Sequence, residues 1–376
     1  LIDDGLTRKA NRNFAAPAPA WRNGGYQQEA ALTKLGLTLG TIEDPSKIPI
    51  PLILHAESVG FESVWTNETY GADAITPLAF IAAHTKRLRL GTSIVPLAAR
   101  TPANLAMCAQ TIDAMAGGNR MMIGIGMSGP QIVEGWYGQP WGRPNRRLRD
   151  YVAIIRKILR REGPVSHDGE EISLPYRGPG ATGLGKPLKS ILHGNPDIPI
   201  YLGTETPLNV RLTGEIADGW LGFHLVPAAL KRYLPMLEEG LAKRSDGRRL
   251  KDLAIQGRVG IIEGSDVKAA LQTPKPHVAL YAGGMGARGK NYHNDAMVAR
   301  GYGDAAQRIQ ELFLAGRKAE AAAAVPDEYI DEEWLVGSRD RIRARLRPWL
   351  DCGITRLLLR PASPELLELV AREAAG

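Results

Sequence analysis

Residues 86–129 read KRLRLGTSIVPLAARTPANLAMCAQTIDAMAGGNRMMIGIGMSG, and their order of strand, loop, helix and strand decides the fold. Leu88 and Leu90 alternate with Arg87 and Arg89 and run into Gly91, Thr92, Ser93, Ile94 and Val95, where Pro96 stops the β-branched run. Thr101 before Pro102 is a helix start, because the hydroxyl accepts from an orphan amide and the ring is already set at helical φ. Leu105, Cys108, Ile112 and Met115 recur at helical spacing, so this face is expected to pack on a sheet. Gly117 and Gly118 close the helix, and Met121 to Ile125 form a second apolar strand that ends in Gly126, Met127 and Ser128. Two strands joined by a helix of this length run parallel, and ligands of such units sit beyond the carboxyl ends of the strands. Residues 93–96 and 126–129 are therefore expected to line one site.

The same alternation extends both ways. Residues 34–40 (KLGLTLG) read as a first strand, Leu52, Ile53, Ala56 and Val59 as a helix, and residues 63–68 (SVWTNE) as a second strand with the polar end Asn67, Glu68, Thr69. Beyond Gly129 the chain turns loop-like (PQIVEGWYGQPWGRP), and Trp136, Tyr137 and Trp141 there suit a lid or a stack on a planar ligand. Further strands are expected at 198–203, 220–224, 254–262 and 356–359. Before the last of them lies a long excursion with a glycine-rich run at 281–289, an alanine-rich helix near 317–325 and an acidic patch at Asp327, Glu328, Asp331, Glu332 and Glu333. The count reaches about eight strands alternating with helices, which predicts an α/β chain folded as a closed (β/α)8 TIM barrel with insertions over residues 34–376. Residues 1–33 lack periodicity and are expected to be a separate arm.

Bulk properties exclude several classes. The net charge of +7, from 47 basic and 40 acidic residues among 376, helps attract an anionic cofactor but is too diffuse to indicate nucleic acid. No apolar run is long enough to span a bilayer, and the N-terminal residues carry no secretory apolar segment. Cys108 and Cys352 lie in unrelated segments without metal or redox spacing, which points to the cytoplasm.

Two motifs mislead. Residues 124–129 (GIGMSG) match the dinucleotide fingerprint, but Pro130 and an aromatic loop follow where a helix is required. Residues 180–186 (GATGLGK) open like a triphosphate-binding loop, yet Pro187 replaces the magnesium-binding hydroxyl; Lys186 and Lys189 remain candidate partners for a phosphate or an acidic cofactor tail. The seven histidines show no metal-ligand spacing, and His224 and His293 stand where a proton carrier could serve. Glu68, a carboxylate at the mouth end of a strand, is the candidate acid or base.

GFESVWTNE at 60–68, LGTSIVP at 90–96, GGNRMMIGIGMSGP at 117–130 and EIADGW at 215–220 resemble the luciferase-like monooxygenase superfamily. GPQIVEGWYG at 129–138 and GATGLGKPLK at 180–189 are most similar to its branch of oxidoreductases that use the deazaflavin coenzyme F420. The resemblance implies a barrel of the bacterial-luciferase-like type with a flavin or deazaflavin at its carboxyl end and a cis peptide between Ser93 and Ile94 behind the ring. It further implies that Asn67, Gly126, Met127, Ser128, Trp136 and Tyr137 surround the cofactor, and that Gly203, Thr204 and Thr206 offer amides to its phosphate. Many relatives have a histidine where Thr69 stands and several a glutamate where Gly129 stands, so those two roles do not transfer and Glu68 is left as the best-matched acid.

The expected activity is hydride transfer between coenzyme F420 and a small organic substrate, an alcohol, a ketone or an activated alkene. The rival expectations are a monooxygenase using reduced FMN from a separate reductase and a non-catalytic flavin-binding protein. A homodimer is expected, with no nucleic-acid or membrane partner.

Overall fold

The structure is a computed structural model and describes residues 33–286 and 288–376. Thr101 opens the decisive helix as its sequence requires: its Oγ1 accepts from the Asn104 amide at 3.2 Å, and Pro102 leads the helix Pro102–Met115. On each side of that helix stands a strand of a parallel ring. The ring consists of β1 (Lys34–Thr38), β2 (Ser63–Thr66), β3 (Arg89–Thr92, resumed at Val95–Pro96), β4 (Met121–Gly126), β5 (Ile200–Gly203), β6 (Gly219–Leu221), β7 (Ala254–Glu263) and β8 (Arg356–Leu359). Each strand pairs with the next, and β8 closes on β1 with Leu35 opposite Leu357 and Leu37 opposite Leu359. This is the expected TIM barrel. The arm expected over 1–33 lies outside the described residues, Thr33 excepted.

The amino end of the ring is tied by buried carboxylates. Glu57 accepts from the amides of Lys86, Arg87 and Leu88, and Asp113 from those of Asn119, Arg120 and Met121, so the entries to β3 and β4 are fixed by side chains from the preceding helices. Burial pushes the Glu57 carboxyl up, but those three amides outweigh it and hold it below the ordinary value. Inside the ring Trp65, Met122, Tyr201, Leu221 and Leu358 pack as one cluster, with the Trp65 and Tyr201 rings edge to face at 5.5 Å.

Where the structure departs from the sequence reading, packing explains it. The buried side of Pro102–Met115 is Leu105, Ala106, Ala109 and Ile112, so the stripe that faces the core is rotated from the expected one and leaves Met115 exposed and Cys108 only half-buried. Residues 130–135, expected as loop, form a short helix begun by Pro130. The excursion before β8 holds six helices around an apolar core of its own that includes Ala279, Met297, Ile309 and Ile330. β7 is long enough for its far end to leave the ring and pair with a short strand, Trp334–Gly337. No helix among the described residues is long and apolar enough to cross a membrane.

One lumen contact is especially tight. Thr92 Oγ1 donates to the Gly124 carbonyl and accepts from the Gly124 amide, both at 2.8 Å, and a Cβ added at Gly124 would stand 1.8 Å from the Thr92 carbonyl oxygen. Gly124→Ala is therefore expected to destabilise the protein by about 3 kcal/mol or more, at the upper end for overpacked cores, read as a lowered midpoint in urea unfolding.

Candidate active site

A cavity of ≈ 1320 Å³ of empty space, counted out to solvent, opens at the carboxyl ends of the strands. Its floor includes Leu221 and Leu358, the top of the lumen cluster. Asn67 and Glu68 from β2, Ser93 and Ile94 from β3, Gly126, Met127 and Ser128 from β4, and Gly203, Thr204 and Thr206 from β5 all line it. The sequence reading thus placed these ten in one site.

The β3 bulge is stitched to the end of β2 at two points, by the Ser93 amide to the Thr66 carbonyl at 2.6 Å and by the Glu68 amide to the Ile94 carbonyl at 3.2 Å. The Ser93–Ile94 peptide is cis. Ile94 lies so close to β4 that a Cβ at Gly126 would meet its Cγ1 at 2.7 Å, so the wall there is backbone. Thr204 turns its hydroxyl away to Thr213 at 2.7 Å and so offers the cavity main chain. Thr206 precedes the helix Pro207–Ile216 without capping it by a side-chain bond, which leaves the helix start open to an anion. Glu205 does not oppose that anion directly, since its Oε1 accepts from the His224 amide at 2.7 Å.

Trp136 and Tyr137 are not among the residues lining the cavity. The short helix Pro130–Gly135 presents Ile132 to the space, while Trp136 is 63% exposed with its ring 6.3 Å from that of Tyr70. Tyr137 stands behind the wall and donates its hydroxyl to Glu68 Oε1 at 3.0 Å. Burial and the neighbouring Glu68 charge push the Tyr137 phenol up, so it stays a donor. Glu68 Oε2 accepts from Arg100 Nη1 at 2.5 Å and from the Ala74 amide at 3.0 Å. Three donors therefore engage the Glu68 carboxyl and leave it little acceptor capacity to spare. Lys186 and Lys189 are exposed and do not line the cavity.

The profile of the luciferase-like monooxygenase family matches residues 31–356. The chain belongs to that family. It is 43% identical over 334 residues, 88% of this chain and 96% of the relative, to a Mycobacterium tuberculosis protein that carries the name coenzyme F420-dependent oxidoreductase. The coenzyme F420-dependent tetrahydromethanopterin reductase of Methanopyrus kandleri superposes with a TM-score of 0.74 at 25% identity, covering 91% of this chain and 98% of that one. An F420-dependent secondary alcohol dehydrogenase bound to an F420-acetone adduct, at 16% identity, TM-score 0.69 and coverage of 90% and 97%, shares the fold. This member of the family is an enzyme.

The far wall of the cavity was not legible as a wall in the sequence. Phe223 from β6, Gln256 and Arg258 from β7, and Tyr281, Lys290, Tyr292 and His293 from the insertion all line it. Behind them His293 Nδ1 meets His224 Nε2 at 2.9 Å, and His224 Nδ1 lies 3.5 Å from Glu333 Oε1. Glu333, taken from the acidic patch, is half-buried and also paired with Arg300. Burial pushes its carboxyl up, yet the His224 bond and the Arg300 and Arg258 charges bring it down to about 2. An ionised Glu333 fixes the tautomers: His224 donates from Nδ1 and accepts at Nε2, so His293 donates from Nδ1 and keeps its Nε2 lone pair. That Nε2 has no protein partner among the described residues and is not a sealed atom. The signal available was Arg258, a lone charge between apolar residues of a barrel strand.

Burial, with Arg360 and Arg258 close by, lowers the His277 imidazole to about 4, and burial with His224 and Arg258 takes His293 well below its ordinary value. Both groups bind protons more tightly unfolded than folded, so their stabilising contribution is present above about pH 6.5 and is lost as the solution acidifies towards the folded values. His277 alone is expected to cost about 2 kcal/mol of stability between pH 7 and pH 5, and His277→Gln should flatten that slope in urea titrations at the two pH values.

Proposed function

We propose that this enzyme binds coenzyme F420 in the cavity and transfers a hydride between it and a small organic substrate, an alcohol, a ketone or an activated alkene. The observation that carries the reading is the cradle itself: a Cβ at Gly126 would meet Ile94 at 2.7 Å, so main chain forms that wall of a largely apolar space, and the helix start after Thr206 has no side-chain cap, an arrangement that suits a flat ring with a phosphate-bearing tail. Ile94 and the main chain of Gly126 and Ser128 would support such a ring, and the open helix start at Thr206 would take its phosphate. When bound, coenzyme F420 supplies a two-electron hydride acceptor or donor at C5 of its deazaflavin ring.

The chain's own part is positioning and proton handling. His293 Nε2 is placed to accept the proton of a substrate hydroxyl during oxidation and to return it during reduction. His293 can then release its Nδ1 proton to His224 Nε2, where the Glu333 carboxylate stabilises the imidazolium. Glu68, the other acid–base candidate, orders the opposite wall through its bonds to Arg100, Tyr137 and the Ala74 amide. The helix Lys275–Gly284 and the segment carrying Lys290 roof the space and limit water.

His293→Ala is expected to reduce kcat by about 10²- to 10⁴-fold, with F420 affinity by fluorescence titration changed less than about threefold and the pH–rate profile losing one limb. Glu68→Gln should lower kcat while keeping the shape of that profile; unchanged turnover would remove Glu68 from the mechanism. Parallel titrations with F420 and FMN, with oxygen consumption measured alongside, separate this reading from a monooxygenase fed with reduced FMN by a partner reductase.

A further inference from the structure

Gln256 and Arg258 are two residues apart on β7 and so share its lumen side, with Arg258 in register with Leu358 of the lumen cluster. Arg360, two residues beyond Leu358 on β8, continues that side upward. Arg258 has no hydrogen bond and no ion pair among the described residues; its guanidinium lies over the Phe223 ring, 3.4 Å from the centroid. Arg360 fares little better, with His277 Nε2 at 3.3 Å and the Trp334 ring at 5.0 Å. The nearby carboxylates are already engaged, Glu333 by Arg300 and His224, and Glu205 by the His224 amide. Two half-buried guanidinium charges thus stand without an ion-pair partner among the described residues, an arrangement that favours a bound anion.

Burial and the Arg360 charge lower Arg258 to about 10, which still leaves it charged at neutral pH. With Phe223 covering one face of the guanidinium, its N–H edge is what remains for a ligand, and that edge matches a carboxylate in two parallel bonds. The surroundings of Tyr281, Leu358 and Ile94 suit an organic acid better than a heavily hydrated inorganic anion. Lys290, exposed at the rim and without an ion pair among the described residues, adds attraction on the way in.

We propose that Arg258 receives the carboxylate of an organic-acid substrate, so that the alcohol, ketone or alkene undergoing hydride transfer also carries an acid group. Only the word substrate rests on the oxidoreductase reading; the anion site rests on the geometry. The helix start after β5 is the place assigned to the cofactor's phosphate, and β6 separates that strand from β7.

Calorimetric titration of the protein with benzoate, propionate and inorganic phosphate, at constant ionic strength set by chloride, tests this without turnover. Saturable carboxylate binding by the wild type is expected, weakened about tenfold or more in Arg258→Gln and partly restored in Arg258→Lys, with circular dichroism checking that both variants fold. Absence of carboxylate binding, or equal binding by Arg258→Gln, would overturn the proposal. Phosphate binding tighter than benzoate and lost in Arg258→Gln would reassign the site to a phosphoester. F420 affinity falling in Arg258→Gln by the same factor as benzoate affinity would reassign it to the cofactor's acidic tail. Benzoate binding that depends on Arg258, together with no binding of F420, would uphold the anion site and defeat the cofactor reading.

Discussion

A closed ring of eight parallel strands satisfies its own backbone everywhere except at the strand ends, and that constraint governs the rest of the molecule. The lumen must be filled by side chains, and here Trp65, Met122, Tyr201, Leu221 and Leu358 fill it. The filling stops at Leu221 and Leu358, which form part of the cavity floor. Above that level the strand ends diverge, and polar main chain becomes available to a ligand. The close fit of Thr92 against Gly124 matters for the same reason: it sets the spacing of β3 and β4 just below the bulge that carries Ile94 into the cavity.

Carboxylates behave differently at the two ends. At the amino end Glu57 and Asp113 spend their oxygens on strand-entry amides, which is structural work. At the carboxyl end Glu68 joins Arg100, and Arg100 joins Asp73 at 3.1 Å, so one guanidinium bridges the loop after β2 to the loop after β3. Burial pushes the Arg100 guanidinium down, but the bond to Glu68 and the charges of Glu68 and Asp73 raise it above its ordinary value. A strand-end carboxylate can be read from sequence as a proton carrier, but its partners decide whether it is one, and Arg100 and Tyr137 come from segments with no sequence signal linking them to Glu68.

The half of the site made by β2 to β5 was legible because each part has a local cause: a β-branched run stopped by proline, a glycine pair, a threonine-proline helix start. The strand Arg356–Leu359 was also read to the residue. The other half was not, because it depends on long-range placement. An acidic run such as residues 327–333 normally forms a solvated face; here the helix Asp327–Glu333 lies on the insertion's own core, with Tyr329 and Ile330 buried, and its last residue turns inward. His224 and His293 were visible as candidates, but nothing in their 69-residue separation signals a 2.9 Å contact. Trp136 stands away from the cavity because the six-residue helix Pro130–Gly135 presents Ile132 there in its place.

The two halves therefore owe their positions to different cores. Asn67, Ile94, Gly126 and Thr206 are held by the ring, whereas Tyr281 and His293 ride on helices packed around Ala279, Met297 and Ile309. Phe223 joins them: its ring stacks on Tyr281 at 5.7 Å and meets His293 at 5.1 Å, while Arg258 reaches it from the ring side. The insertion thus meets the cavity through aromatic contacts and meets the ring through Ile262 of β7 and the strand Trp334–Gly337 paired with it. A ring rigid through backbone pairing and a roof positioned by side-chain packing leave the insertion free to change the residues it presents without disturbing the strand ends, a division that suits a fold in which the ring holds one ligand and the roof selects another.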